Sequence, residues 1–503
     1  MKRKRPQVKV NLGELDRILD QALTAPLTNP DHAKVKTALH VLADFLEHRR
    51  NTEKTAAVIP PPEPEPSSAP VAPPKPGHGR NGADAFEGAT KIAVPHETLE
   101  RGQKCPECNI GKVYPLKEPA PLVRLTGQAP LAATVYDLER LRCNGCGEVF
   151  TAAAPEAAGP EKFDEPAMAM IALLKYGTGM PFNRLEKLEK SLGIPLPAST
   201  QWDVVEEAAE LLKPARDELI LLAAQGQLVH NDDTSMRILK LERPPGDTRT
   251  GVFTSGLVAD SGHRIALFFT GRQHAGENLA AVLGQRAAGL APPVLMCDAL
   301  SRNVPAGVNL LIANCLAHGR RQFVEVAGNF PQQCRFVLET LGEVYGFDAQ
   351  AREKGLNAND RLAFHRKHSL ELMDSLEKWF DSQFAERKIE PNSGLGDAIK
   401  YMRNHWKKLT LFLHQPGAPL DNNICERALK RVVLHRKNAL FYRTLHGADV
   451  GDLYMSLIHT CELNHVNVFD YFLALLRHPL ELKRAPARWM PWNFRDSLLC
   501  LPD

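Results

Sequence analysis

No stretch of eighteen residues in this sequence is free of charge, so no transmembrane helix is expected. The start, MKRKRPQVKVNLGEL, has a basic head without the apolar run of a secretory signal. Net charge is nearly absent as well: 62 Lys and Arg stand against 59 Asp and Glu, a balance of +3. That excludes a histone-like or ribosomal-tail composition, although a near-zero sum can hide opposed local charges. Ten cysteines in 503 residues are not the disulfide framework of a small secreted domain. What remains is a soluble, cytosolic chain with no membrane partner. Its hydrophobic share of 44% is ordinary for a globular protein, and its length suits three or more domains.

Four cysteines form two pairs, Cys105-Pro-Glu-Cys108 and Cys143-Asn-Gly-Cys146, with 34 residues between them. Each turn faces two thiolates toward one point, and two such turns complete a tetrahedral site for structural Zn²⁺. Gly111, Gly145 and Gly147 suit the tight turns, and Val113–Tyr114 and Leu122–Leu125 read as short strands of a zinc ribbon. Four thiolates would leave no position for water, so such an ion holds a fold and does no chemistry. The alternative is two unrelated cysteine pairs. Cys297, Cys315, Cys334, Cys425, Cys461 and Cys500 read as ordinary buried thiols.

The chain divides by composition. Residues 1–54 read as a helical hairpin, from apolar spacing over Leu15–Leu23 and Val35–Leu46, and as a possible dimerisation element. Residues 55–90 are a linker, with nine prolines among the seventeen residues Pro60–Pro76. The ribbon takes 91–155. Residues 156–222 are helical: Met168–Lys175, then Pro181–Leu192 closed by Gly193, then a helix from Gln201 with Ser199 and Thr200 as N-caps. This outline fits a helix-turn-helix, or equally any helical hairpin. The third helix is acidic, with six acids against two bases over Asp203–Glu218, so only its first turn and the second helix, with Arg184, Lys187 and Lys190, could touch DNA.

Strands are expected at Leu228–Asn231, Val252–Val258 and Ile265–Phe269, a helix at Glu277–Leu283, and strands at Val294–Cys297 and, after a helical crossover, Leu310–Asn314. Three strands, helix, strand, helix, strand is the order of a ribonuclease-H-like α/β domain, whose first part is 223–321. Residues 322–414 read as a helical insertion, 415–450 as the catalytic helix with a basic segment, and 451–503 as C-terminal helices. The fold class is therefore multidomain α/β.

On that plan Asp232 ends the first strand, Asp298 ends the fourth, and Glu426 lies on the helix expected to cross the same edge. Clustered carboxylates repel unless cations neutralise them, and hard oxygen ligands suit two Mg²⁺ or Mn²⁺ ions about 3.5–4 Å apart. That is the two-metal design for cutting and joining phosphodiesters. From Tyr401 to Arg443 nine bases face two acids. Arg427, Lys430, Arg431, Arg436 and Lys437 follow Glu426, with Phe441 and Tyr442 available for base contacts, and His318-Gly-Arg320-Arg321 supplies a second basic group.

At these motifs the chain resembles the transposases of the insertion sequence 66 family. The resemblance rests on both cysteine pairs, His230-Asn-Asp-Asp-Thr234, Cys315-Leu-Ala-His-Gly-Arg-Arg321, Asp421-Asn-Asn-Ile-Cys-Glu-Arg427, Arg436-Lys-Asn438 and the tail Ser456–Asn464, and covers nearly the whole chain. It implies a bacterial DNA transposase with Asp232, Asp298 and Glu426 as its aspartate–aspartate–glutamate triad. It also implies double-stranded DNA as partner, through element ends and target, with a homodimer or higher assembly on DNA and possible accessory proteins from the same element. The chain departs from the family pattern at Asp233, where glutamate is usual and which rivals Asp232 as a ligand; after Asp298, where Ala299-Leu-Ser lacks an aromatic; and at Lys430, where arginine is common. Two rival functions remain open: a DNA-binding accessory or regulatory protein that no longer cuts, and a nuclease that only hydrolyses.

Overall fold

The computed structural model describes residues 89–501 except 97, 117–119, 121, 126, 243–245 and 247–248, together with isolated earlier positions that include 53 and 55–59. The hairpin expected over 12–50 and the linker at 60–76 lie outside the described residues, apart from a few single positions. The chain forms two compact units, Glu63–Val135 and Met1–Pro62 with Tyr136–Asp503. The boundary falls inside the stretch read as a ribbon.

In the smaller unit Lys104 and Lys112 form an antiparallel bridge around the first cysteine pair. In the larger unit, β1 (Arg140–Arg142) and β2 (Val149–Thr151) form an antiparallel hairpin around the second pair. The strands expected at Val113–Tyr114 and Leu122–Leu125 are not formed.

A helical layer follows: α1 (Glu165–Ala172), which runs on as a π-turn through Gly177, α2 (Phe182–Ser191) and α3 (Ala198–Ala224). Gly193 closes α2 at φ +81°, a conformation open to glycine. Ser199 and Thr200 are not N-caps, for α3 begins at Ala198 after Pro197. Its start is held instead by the buried Gln201 amide, which donates to the carbonyls of Phe182 (3.1 Å) and Leu196 (2.9 Å).

The central sheet has the order β6-β5-β3-β7-β8, built from β3 (Leu228–Ser235), β5 (Phe253–Asp260), β6 (Arg264–Gly271), β7 (Val294–Cys297) and β8 (Leu311–Asn314). The first three are antiparallel, and β3, β7 and β8 are parallel. The short β4 (Ile238–Lys240) pairs with β9 (Tyr442–Thr444). α4 (Ala275–Leu283) links β6 to β7. Between β7 and β8 there is a single 3₁₀ turn, Ser301–Asn303, where a crossover helix was expected. Pro305 and Gly307 leave too few residues there for a helix.

Beyond β8 lie α5 (Leu316–Val326), α6 (Pro331–Glu353), α7 (Ala358–His368), α8 (Leu370–Ala385) and α9 (Gly394–Leu409). The apolar faces of α5, α6, α8 and α9 share one core with the β7–β8 side of the sheet: Val294, Met296, Phe323, Leu338, Phe380 and Ile399 are all buried in it. α9 crosses α5 at Gly319, where a Cβ would come within 2.5 Å of the Met402 sulfur. Among the described residues no helix is long and apolar enough to cross a membrane.

The chain returns through α10 (Asn423–Ala439), α11 (Leu445–Leu463), α12 (Val468–Arg477), α13 (Pro479–Arg484) and α14 (Phe494–Leu499). α11 covers the edge strand β6. Four helical residues rise about 6 Å and two strand residues about 6.6 Å, so i, i+4 side chains match alternate backbone groups. Asp452, Ser456 and Thr460 accept the N–H groups of Thr270 (2.5 Å), Phe268 (3.0 Å) and Ala266 (3.0 Å), and Asn464 donates to the Arg264 carbonyl (2.7 Å). An edge that would otherwise pair with other chains is thereby closed.

Candidate active site

β3 and β5 keep one antiparallel register from Leu228↔Asp260 to Ser235↔Phe253, without a bulge. Asp232 therefore stays on the face of Leu228 and His230, and Asp233 points to the other. β3 also pairs in parallel with β7 from Leu228↔Val294 to His230↔Met296. Continued by two residues, that register sets Asp232 beside Asp298, the first residue after β7. Asn303 ties them together, its Nδ2 donating to Asp298 Oδ1 at 2.6 Å and to Asp232 Oδ1 at 3.3 Å. Burial, reinforced by the neighbouring Asp298 charge, pushes Asp232 up to about 7. Ion pairs among the described residues include none to Asp232 or Asp298.

Asp233 is differently placed. Its buried carboxylate accepts from His274 Nδ1 (2.8 Å) and Arg302 Nη2 (3.0 Å). His274 is in turn fixed as the N-cap residue of α4 by Glu277, which accepts its backbone N–H at 2.8 Å.

α10 brings Glu426 to the sheet in its first turn. Asp421 accepts the Asn423 N–H (3.1 Å) and so starts the helix, and the fully buried Asn422 binds it to β3. The Asn422 amide meets His230 Nδ1 at 3.0 Å and donates to the Asn231 carbonyl at 3.0 Å. Opposite Asp232 stands Gly256, where a Cβ would come within 2.9 Å of the Leu429 side chain, so glycine lets α10 pack closely here. Cys425 donates its S–H to the Gly256 carbonyl at 3.3 Å, and burial together with Asp232 and Glu426 pushes that thiol up. Glu426 Oε1 lies 3.8 Å from His318 Nδ1. Donor atoms of Cys315, His318 and Glu426 all fall within 4.8 Å of one another, a set that could hold a metal ion.

The basic residues separate into two groups. Arg427, Lys430 and Lys437 are exposed along α10, as are Arg184, Lys187 and Lys190 on α2. The others are paired with groups of the protein itself. Arg431 pairs with Glu462, and Arg436 donates to Thr234 Oγ1 (3.2 Å) and Ser235 Oγ (2.9 Å) at the end of β3. Arg320 meets the Glu53 carbonyl and Thr55, and Arg321 meets the Glu53 carboxylate at 2.9 Å. Phe441 is partly exposed, but Tyr442 is buried against Gly451 and stacks on His435 at 5.0 Å, so it cannot reach a base.

Each cysteine pair sits in a tight turn of its own unit. Gly111 N–H points at Cys108 Sγ (3.5 Å), and Gly147 N–H bonds the Cys143 carbonyl (3.0 Å). The left-handed position one residue after each pair is held by Asn109 (φ 55°) and Gly147 (φ +78°). In the first turn asparagine thus does what glycine was expected to do. Backbone N–H groups, those of Gly111 and of Cys146 first, lower the Cys108 and Cys143 thiols.

Asn303, Asn422, His274, Arg302 and Gly256 were not singled out from the sequence. Asn422 lies inside the Asp421–Arg427 motif and was available there. The rest become meaningful only once the strands are paired.

This is a mixed α/β protein with a large helical region and a small mixed sheet, consistent with a ribonuclease-H-like fold; Asp298 directly follows β7, whereas Asp232, expected to end its strand, lies inside β3, which its pairing with β5 carries on to Ser235. Residues 162–450, more than half of the chain, match the Transposase IS66 family. The chain belongs to that family, and is thereby a DNA transposase of the aspartate–aspartate–glutamate type. Similar chains occur in Sinorhizobium fredii. Uncharacterized protein y4hP is 27% identical over 382 residues, 71% of this chain and 67% of its own. Uncharacterized protein y4jD is 27% identical over 384 residues, 71% of each. Uncharacterized protein y4qI is 23% identical over 366 residues, 67% of this chain and 63% of its own.

Proposed function

We propose that Asp232, Asp298 and Glu426 are the catalytic acids, and that the protein nicks the ends of its element and joins them to target DNA. The observation that carries this is the Asp232–Asp298 pair, held together by Asn303 with no protein cation in partnership among the described residues. Two carboxylates kept this close fit a divalent cation. When bound, two Mg²⁺ or Mn²⁺ ions supply charge stabilisation to the attacking and leaving oxygens of an in-line displacement. Asp232, rather than the His274- and Arg302-bound Asp233, is the first ligand. Asn303 fixes the orientation of both aspartates, and Asn422 and Gly256 fix the helix that presents Glu426. Arg427, Lys430 and Lys437 hold the phosphate backbone, while Arg431 and Arg436 hold α10 itself in place.

α2 and the start of α3 serve as a helix-turn-helix for the element ends, with Arg184, Lys187 and Lys190 toward phosphates. The spacing of the two pairs in the sequence supports Cys105, Cys108, Cys143 and Cys146 as ligands of a structural Zn²⁺, and within its own unit each pair sits in a tight turn. Two ends require two active sites, so the protein acts as a dimer or higher assembly on double-stranded DNA, with accessory proteins of the same element as further partners. The domain limits follow the divisions at 54, 90, 155, 222, 321, 414 and 450.

A supercoiled plasmid carrying the terminal repeats tests the reading. With Mg²⁺ the protein should nick each end and then yield strand-transfer products; with EDTA it should do neither. Glu426→Gln should bind ends without cutting them. Cleavage by that variant would remove Glu426 from the site, and hydrolysis without joining would mark a nuclease.

A further inference from the structure

Cys315 was expected to be an ordinary buried thiol, and its surroundings are not ordinary. It is the N-cap residue of α5, with His318 three positions on. Its sulfur is fully buried and accepts the Asn422 N–H at 3.3 Å, from the residue that precedes α10. Two helix N-termini thus converge on one sulfur. Beside it, His318 Nδ1 and Glu426 Oε1 are both buried at the atom level and make no hydrogen bond, although they lie only 3.8 Å apart. Unpaired buried polar atoms cost about 1–3 kcal/mol each, so two that face one another beside a thiol call for a shared ligand. The two side chains are about a quarter exposed, which opens a way in from solvent, and Cys315 forms the floor.

We propose that Cys315, His318 and Glu426 form a separate site for a borderline divalent ion such as Zn²⁺, which withdraws Glu426 from the Mg²⁺ set and silences strand cleavage. The inference rests on Glu426 being catalytic. A sulfur–nitrogen–oxygen donor set selects Zn²⁺ or Co²⁺ over Mg²⁺, which takes oxygen ligands in an octahedron. Tetrahedral zinc needs its ligand atoms roughly 3–4 Å apart, so side-chain shifts of about 1 Å close the present 4.8 Å set. Water takes the fourth position. On binding, the thiol proton is lost to solvent and a sulfur–metal bond forms, with no change of oxidation state. Burial pushes the Cys315 thiol up to about 11, against the opposing pull of the Asn422 and His318 backbone N–H groups.

The test uses the full chain, loaded with Zn²⁺ at the paired cysteines, freed of excess metal, and titrated anaerobically with Co²⁺. A thiolate-to-cobalt charge-transfer band should appear. Cys315→Ser should abolish it, and His318→Gln should weaken Co²⁺ binding more than about tenfold, since even outer-shell partners are worth that much. Asp232→Asn should lose cleavage and keep the band, which separates this site from the catalytic reading. Zn²⁺ added to a Mg²⁺-supported nicking assay should inhibit the wild type and leave Cys315→Ser active. A band that survives in Cys315→Ser of unchanged circular dichroism, or equal Zn²⁺ inhibition of both proteins, overturns the proposal. If Cys315→Ser does not fold, His318→Gln decides by the same two readouts.

Discussion

Two part-buried aspartates in this protein meet opposite fates. Asp348, in the helical region, is surrounded by bases: Arg361 at 2.5 Å, His365 at 3.2 Å and Arg352 at 3.4 Å. Burial works to raise its carboxyl, but His365 and Arg361 outweigh burial and hold it below the ordinary range. Asp232 has Asp298 and Asn303 for company, and it rises to about 7. The difference shows where the chain neutralises its own acid and where it leaves a negative site for something from outside. Asp233, next in sequence to Asp232, belongs with Asp348, because His274 and Arg302 satisfy it.

Breaking each acid should separate the two kinds. Asp232→Asn should reduce nicking to the metal-free background while leaving thermal stability unchanged or higher, because a repulsion is removed. Asp348→Asn should do the reverse. It strands Arg361 and His365, so unfolding should become easier by about 3–5 kcal/mol, with Mg²⁺ dependence of nicking unaltered in the folded fraction. Denaturant melts and plasmid nicking on both variants read this directly.

pH sharpens the contrast, since the signs differ. The raised Asp232 carboxyl binds its proton more tightly in the folded state than in the unfolded chain. Its stabilising contribution is therefore present below the ordinary carboxylate range and is lost as pH rises toward about 7. Asp348 is depressed, so its contribution is present at neutral pH and lost on acidification through its folded value. Mg²⁺ should accordingly raise the melting temperature more at pH 8 than at pH 6 in the wild type. In Asp232→Asn that pH difference should shrink. A Mg²⁺ shift that is the same at both pH values would separate Asp232 from the metal.

The smallest effect concerns the exposed bases. Lys430→Ala should lower the slope of log affinity against log salt by about 1 without altering end preference, as for loss of one phosphate contact. Arg436→Ala should instead cost stability, because Arg436 clamps Thr234 and Ser235.

Much of the central sheet was legible before the fold. Val294–Cys297 and the turn at Asp260–Gly262 were readable from apolar runs and turn chemistry, and Asp298 at the end of β7 followed from them, whereas β3 runs three residues past Asp232. Errors arose where a local signal met a tertiary competitor. Ser199 and Thr200 look like caps, but α3 starts earlier, because Gln201 is buried against α2. Tyr442 looks like a base-stacking residue beside lysines, yet the glycine at Gly451 gives it a buried slot. Arg431 and Arg436 share a charge with Lys430, but face elements far away in sequence.

By itself the sequence determined the family, the positions of the five strands of the central sheet and the acid that follows β7, because these follow from side-chain period and residue type. Only the tertiary structure decided which acids stay unneutralised. That depends on partners 41 to 71 residues away, His274, Arg302 and Asn303, and on a glycine across the sheet that admits α10. Charge pairing is a matter of distance in space, and no spacing along the chain specifies it.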